Sequence, residues 1–387
     1  MTDELLLTVA ERFGTPVYVY DLDLITARHA TLRSAFPGAT IHYAVKANGL
    51  GAILRHLQAL GAGAEALTLG ELERVLRAGF DPSKVVLGGP GHTAALAQRT
   101  ISAGVRTVSI DSRSAWDVWR ELPIGPDTKF LMRVNPAFDP RTHEHLATAA
   151  AHSKFGVPLA EVLPLADEMA RAGKLTGFHI HAGSMIADPA IADLVVEALA
   201  PLYRRYPELR VVDVGGGIAV PSAPVEEFAR RLTAFAREFS LDLMIEPGRY
   251  LVAESGVLLT RVLHRKGGEL EHLIADAGMA DLMRPALYGA RHPIRVVGAA
   301  AASGVDSFSF DVDGPLCENA DRLGRNVELP DAGNGSLLAV EQAGAYGFAM
   351  SSNYASSLRP AEVVVSGGVA TLARRRETPE DLWRLEE

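Results

Sequence analysis

The sequence predicts an α/β barrel plus an all-β domain: a TIM-like (β/α)8 barrel first, then a β-sandwich or barrel-like domain. Three observations predict it. The chain has 387 residues, too long for one average domain and enough for two with real cores. Short apolar runs alternate with amphipathic helical segments through the first roughly 250 residues. Beyond that, apolar runs are separated by Gly, Pro and Asn turns, and helical spacing is scarce.

Strands are expected at 41–46, 64–67, 84–88, 107–110, 130–134, 177–181, 211–214 and 243–246. Thr68-Leu69-Gly70-Glu71 reads as a capping box opening a helix through Arg77, which Gly79 closes. Asp111 is placed to cap a helix from Ser112 to Leu122, ended by Pro123. Ile191 to Tyr206 and Val225 to Phe239 carry a helical period. A doubly wound sheet would give the same alternation and is the competing fold. Later, Gly256 to Leu263, Val305 to Val312, Ser336 to Val340 and Ala361 to Val365 read as strands, and Val17 to Tyr20 is able to join them. The expected domains are 36–255 for the barrel and 1–35 with 256–387 for the β domain.

Composition narrows the function classes. With 38 basic and 47 acidic residues the net charge is −9, which argues against nucleic acid or an anionic membrane as partner. No apolar run approaches the ~20 residues of a membrane span. Met1-Thr2-Asp3-Glu4 lacks the basic start of a signal peptide, and the single cysteine, Cys317, excludes an internal disulfide. A cytoplasmic protein acting on a small molecule is expected.

In a barrel, chemistry collects at the C-terminal ends of the strands. Lys46 stands at the end of Ile41-His42-Tyr43-Ala44-Val45-Lys46. A buried amine of this kind can form a Schiff base; a lysine snorkelling at a strand end is the alternative. Gly177-Phe178-His179-Ile180-His181 leads to Gly183-Ser184, Asp213 leads to Gly215-Gly216-Gly217, and Glu246 leads to Pro247-Gly248-Arg249. The glycine run suits a phosphate or simply a tight turn. A phosphate site with a strand-end lysine suggests pyridoxal phosphate, Glu246 suits its ring nitrogen, and His181 is able to lie flat on the ring. The spacing of His179 with His181, and of His143 with His145, also permits a metal hydrolase; that reading leaves Lys46, Glu246 and the glycines without a role, and no metal is assigned.

With these residues together, the chain resembles the fold-type III pyridoxal-phosphate decarboxylases, most of all those acting on meso-2,6-diaminopimelate. The resemblance runs from Tyr43-Ala44-Val45-Lys46-Ala47-Asn48 to Arg359-Pro360-Ala361-Glu362-Val363. It is carried by Glu246-Pro247-Gly248-Arg249, Asp276-Ala277-Gly278-Met279, Arg284 to Ala290, Gly314-Pro315-Leu316-Cys317-Glu318, Ala343 to Gly347 and Met350 to Tyr354. It implies that Lys46 binds the cofactor covalently, that His181 stacks on the ring and that Glu246 holds the ring nitrogen. It implies a phosphate held by Ser184, Gly216, Gly217, Gly248, Arg249 and Tyr346. Arg249, Arg284, Tyr288 and Tyr346 would bind substrate, with Glu318 on its distal ammonium. Cys317 would be the general acid, reaching the neighbouring subunit of a homodimer whose active sites are shared. The implied reaction releases CO2 and L-lysine; ornithine, lysine, carboxynorspermidine or a siderophore precursor are alternative substrates, and an amino-acid racemase is a more distant one. Met185 and the stretch Thr142 to Leu146 depart from the family pattern near the expected substrate position.

Overall fold

The first barrel strand shows how this sequence makes a parallel sheet. In the computed structural model, which describes residues 1–137, 153–299 and 307–387, Thr40–Ala44 is buried at every residue after its first. A strand covered on both faces must be apolar throughout. It pairs in parallel with Gly63–Ala66, followed in order by Val85–Leu87, Thr107–Ile110, Lys129–Asn135, Leu175–His179, Val211–Asp213 and Asp242–Ile245. The last returns to Thr40–Ala44 and closes an eight-stranded ring, which excludes the doubly wound sheet. At Gly177 a Cβ would lie 1.8 Å from the Val211 carbonyl oxygen, so only glycine permits this strand contact.

Between the strands, Thr68 caps Leu69–Arg77 by accepting the Glu71 N–H at 3.2 Å. The Glu71 carboxylate takes the N–H of Leu67 rather than that of Thr68. The expected cap at Asp111 is corrected: Ser112 caps Arg113–Arg120, and Asp111 is buried against Arg133. Helices Ile191–Arg205 and Val225–Glu238 lie where their periodicity places them.

The chain divides into two compact units, 26–251 and 1–25 with 252–387. Residues 26–35, expected with the β domain, belong instead to the barrel unit as most of helix Leu22–Ala35. In the other unit a nine-stranded mixed sheet runs in the order Arg322–Pro330, Ser307–Asp313, Glu271–Ala275, Gly256–Lys266, Val17–Asp21, Ala361–Ser366, Val369–Arg374. Leu337–Val340 pairs with Gly256–Lys266 and with Ile294–Val296. Val17–Asp21 does join this sheet, parallel to Ala361–Ser366 and antiparallel to Gly256–Lys266. Alternate residues Val17, Val19, Val257, Leu259, Val363 and Val365 form its apolar cluster with Leu6, Val9 and Ala10 of helix Asp3–Phe13. No helix among the described residues is long and apolar enough to cross a membrane.

Candidate active site

The amine that stood out in the sequence sits just past its strand. The first barrel strand ends at Ala44, and a 3-10 turn, Val45–Ala47, carries Lys46. The Asn48 side chain accepts the Leu50 N–H and the Tyr43 hydroxyl donates to the Asn48 carbonyl, which fixes the turn's exit. Lys46 Nζ lies 3.0 Å from Glu65 Oε2. Glu65 belongs to the second strand and is 3 % exposed, whereas the Lys46 side chain keeps 33 %. A buried carboxylate thus anchors an amine that still reaches open space.

The ends of the neighbouring strands are stitched together by backbone. Ile180 N–H donates to Asp213 O, Ile186 N–H to Gly217 O, Glu246 N–H to Gly215 O and Ala44 N–H to Pro247 O. Sequence reasoning put His179 and His181 on one strand face. The strand ends at His179, and His181 lies beyond it, with its Nδ1 accepting the Gly216 N–H at 3.1 Å. The glycine run cannot be decorated. A Cβ at Gly216 would lie 2.2 Å from Glu246 O, and one at Gly217 2.2 Å from Gly183 O; φ at Gly217 is +94°. Arg249 Nη2 donates to Ser184 Oγ at 3.3 Å, and Gly248 lies against Ala44 and Ala47. A hydroxyl and a guanidinium therefore stand at the end of a ring whose glycine loop is bare backbone, suited to an anion.

Under this rim is a buried polar layer. Ser109 Oγ is 2.7 Å from His179 Nδ1, and His179 Nε2 is 3.6 Å from Glu246 Oε2. Asp213 Oδ1 accepts the Gly215 N–H at 2.8 Å. Arg133 Nη1 donates to Asp111 Oδ2 at 3.2 Å, and Asp111 Oδ1 takes the Gly156 N–H. Burial, reinforced by the Arg133 charge, holds both His179 and His181 well below the ordinary histidine range, so both rings are neutral. Burial pushes the Glu246 carboxyl up, with the Asp213 charge adding to it, and burial pushes Asp213 up as well. His179, Asp213 and Glu246 bring ligand-type atoms within 4.8 Å of one another. The metal pair of His179 with His181 that the spacing permitted is not what converges there; His143 and His145 lie outside the described residues.

Other predicted residues are in the β unit. Cys317 is exposed on the loop after Ser307–Asp313. Asp321 ties that loop down: its carboxylate accepts the N–H groups of Leu316 and Met279, each at 2.6 Å. Glu318 accepts the Tyr354 hydroxyl proton. Arg284 and Tyr288 share the short helix Arg284–Tyr288, and Arg284 Nη1 donates to His292 Nε2 at 2.9 Å. Tyr346 adopts φ +58°, unusual for a bulky residue. Sequence reasoning missed Glu65, Ser109, Arg133 and Asp321. A glutamate inside Gly63-Ala64-Glu65-Ala66, a strand of small residues, was the available signal.

Comparison with known proteins agrees with this geometry. The family described as the pyridoxal binding domain of pyridoxal-dependent decarboxylases matches residues 22–253. The chain is 40 % identical over 378 residues, 97 % of both chains, to the diaminopimelate decarboxylase of Deinococcus radiodurans. It is 36 % identical to that of Aquifex aeolicus, over 95 % of this chain and 91 % of the relative. The crystal structure of the Helicobacter pylori diaminopimelate decarboxylase complexed with L-lysine superposes with a TM-score of 0.90 at 32 % identity, covering 98 % of this chain and 99 % of that one. The lysine/ornithine decarboxylase of Vibrio vulnificus shares the fold, with a TM-score of 0.84 at 21 % identity, over 95 % of this chain and 98 % of that one. The chain belongs to the pyridoxal-dependent decarboxylases and, among them, to the diaminopimelate decarboxylase family.

Proposed function

We propose that this chain decarboxylates meso-2,6-diaminopimelate to L-lysine and CO2, using pyridoxal phosphate held at the C-terminal ends of its barrel strands. The observation that carries the reading is a primary amine, Lys46, sharing one ring of strand ends with a bare glycine loop and a buried carboxylate, Glu246. The donor set suits the cofactor. Glu246 Oε1 is buried with no hydrogen-bond partner, as an acceptor for a ring N–H would be. The loop at Gly215–Gly217 has room for backbone only, and Ser184 and Arg249 supply donors for a phosphate. When bound, pyridoxal phosphate supplies an electron-withdrawing ring joined to the substrate amine, into which the bonding pair of the leaving carboxylate can pass.

The chain's own residues do the rest. Lys46 would hold the cofactor covalently, and Glu65 fixes the reach of its Nζ. Glu246 would keep a proton on the ring nitrogen, and His181, neutral, would pack on the ring face. Gly216, Gly217, Gly248, Ser184, Arg249 and Tyr346 hold the phosphate. Arg249, Arg284, Tyr288 and Tyr346 bind the substrate, whose carboxylates match guanidinium geometry. Glu318 takes the distal ammonium. The Cys317 thiol gives its proton to the α-carbon once CO2 has left. Cys317 and Glu318 come from the second copy in a cytoplasmic homodimer with two shared sites.

A racemase would set a cation against the ring nitrogen, and the buried Glu246 speaks against that. The test is CO2 release over the stereoisomers of diaminopimelate, ornithine, lysine and arginine. Release from the meso isomer alone is expected; release from another acid with none from diaminopimelate would overturn the assignment. Sedimentation of the holoenzyme tests the dimer, a monomeric active species being the adverse result.

A further inference from the structure

The buried layer holds more ionisable groups than the proposed reaction uses. Glu246 is 4 % exposed and Asp213 fully buried. Neither Glu246 Oε1 nor Asp213 Oδ2 has a hydrogen-bond donor. The other charges facing this layer are matched: Lys46 by Glu65 at 3.0 Å, and Arg133 by Asp111 at 3.2 Å. His181 and His179 are neutral there. That leaves two carboxylates, with oxygens less than 5 Å apart, both buried from the bulk solvent that would screen them. One proton held by the pair removes the repulsion and lets one carboxyl donate to the other.

His179 completes the arrangement. Its Nδ1 faces the Ser109 hydroxyl at 2.7 Å, and a hydroxyl donating there puts the ring proton on Nε2. Nε2 then carries the ring proton 3.6 Å from Glu246 Oε2, with no hydrogen-bond acceptor among the described residues. Asp213 is fixed in turn by the Gly215 N–H, the first residue of the glycine loop.

We propose that Asp213 and His179 are positioning residues for Glu246, and that the Asp213–Glu246 pair holds a single shared proton and presents one net negative charge. This deepens the reading above and rests on it for what Glu246 faces. One negative charge is what a protonated ring nitrogen neutralises. Two would leave the layer charged, and none would leave that nitrogen without an ionic partner.

The test starts with the ligand-free protein at neutral pH. Infrared spectroscopy is expected to show the carbonyl stretch of a protonated carboxyl that disappears in Asp213→Asn and also in Glu246→Gln. Each variant leaves one ionised carboxylate beside an amide donor, so the proton is no longer needed. Asp281 in the β unit, pushed up to about 7 by burial, contributes equally to all three proteins and cancels in difference spectra. Fluorescence titration with pyridoxal phosphate then separates the roles. Asp213→Asn is expected to weaken binding by at most about threefold, because its net charge and its bond to Gly215 persist, and Glu246→Gln by about tenfold or more. A wild-type-minus-variant difference spectrum without a carboxyl band for either substitution overturns the shared proton; equal losses of cofactor affinity overturn the positioning role. If Asp213→Asn fails to fold, the Glu246→Gln difference spectrum decides alone. A wild type that takes up no pyridoxal phosphate would sink the functional reading without touching the infrared result.

Discussion

Replacing Asp321 by asparagine should cripple turnover while leaving cofactor uptake intact. Asp321 is 2 % exposed, and its two oxygens accept the Leu316 and Met279 N–H groups at 2.6 Å each. Gly278 and Gly314 press on it so closely that a Cβ at either would fall 2.1 or 2.3 Å from Oδ1. Asparagine fits the same space but turns one acceptor into a donor, which then faces an N–H. One charge-assisted bond is lost and a donor is left unpaired, at a cost of about 3 kcal/mol. In a unit of this size that lowers the melting temperature by roughly 6–12 °C. Leu316 adjoins Cys317, so the loop loses the anchor that fixes the proposed proton donor. A misplacement on the order of 1 Å costs about 100-fold in rate. Scanning calorimetry and steady-state CO2 release measure the two effects, with the absorbance of bound pyridoxal phosphate as control. Melting within a degree of wild type, or a kcat within about twofold of it, would refute the reasoning.

Lys46→Ala should abolish the long-wavelength absorbance of lysine-bound pyridoxal phosphate, and it leaves Glu65 buried beside an empty place; a surviving band would show that another amine holds the cofactor. Gly217→Ala puts a methyl 2.2 Å from the Gly183 carbonyl at φ +94°, so the loop must open and cofactor affinity should fall about tenfold or more, read by fluorescence titration. Burial pushes the His42 imidazole down to about 4. Its folded value lies below the unfolded one of about 6.5, so its contribution is complete above pH 6.5 and is lost as pH falls, by roughly 3 kcal/mol at pH 4. Urea unfolding from pH 7 to pH 4 should show this loss, and His42→Gln should remove that part of it; an unchanged acid slope would mean His42 is not the group.

The barrel was legible because strands buried on both faces leave continuous apolar runs, and all eight lie within a few residues of where those runs stand. Boundaries were less legible where backbone turns without a compositional mark. Nothing in Ala44-Val45-Lys46 says that the strand stops at Ala44, nor that His181 leaves the line of His179, because both breaks are set by bonds to distant loops. Asp111 and Ser112 are both good helix caps, and only the buried Arg133 decides between them. In the β unit the strands Arg322–Pro330 and Val369–Arg374 escaped because half-exposed edge strands carry charge and little apolar pattern. The same limit applied to the site. Lys46, Glu246 and the glycine run were readable, since each is an odd residue type at a strand end. The buried groups around them, Glu65 against Lys46, Ser109 against His179 and Arg133 against Asp111, were not, because a buried pair is recognisable only once both halves are placed. Chemistry in this chain is therefore written in two ways: reactive groups in sequence motifs, and the charges that tune them in the closure of the ring.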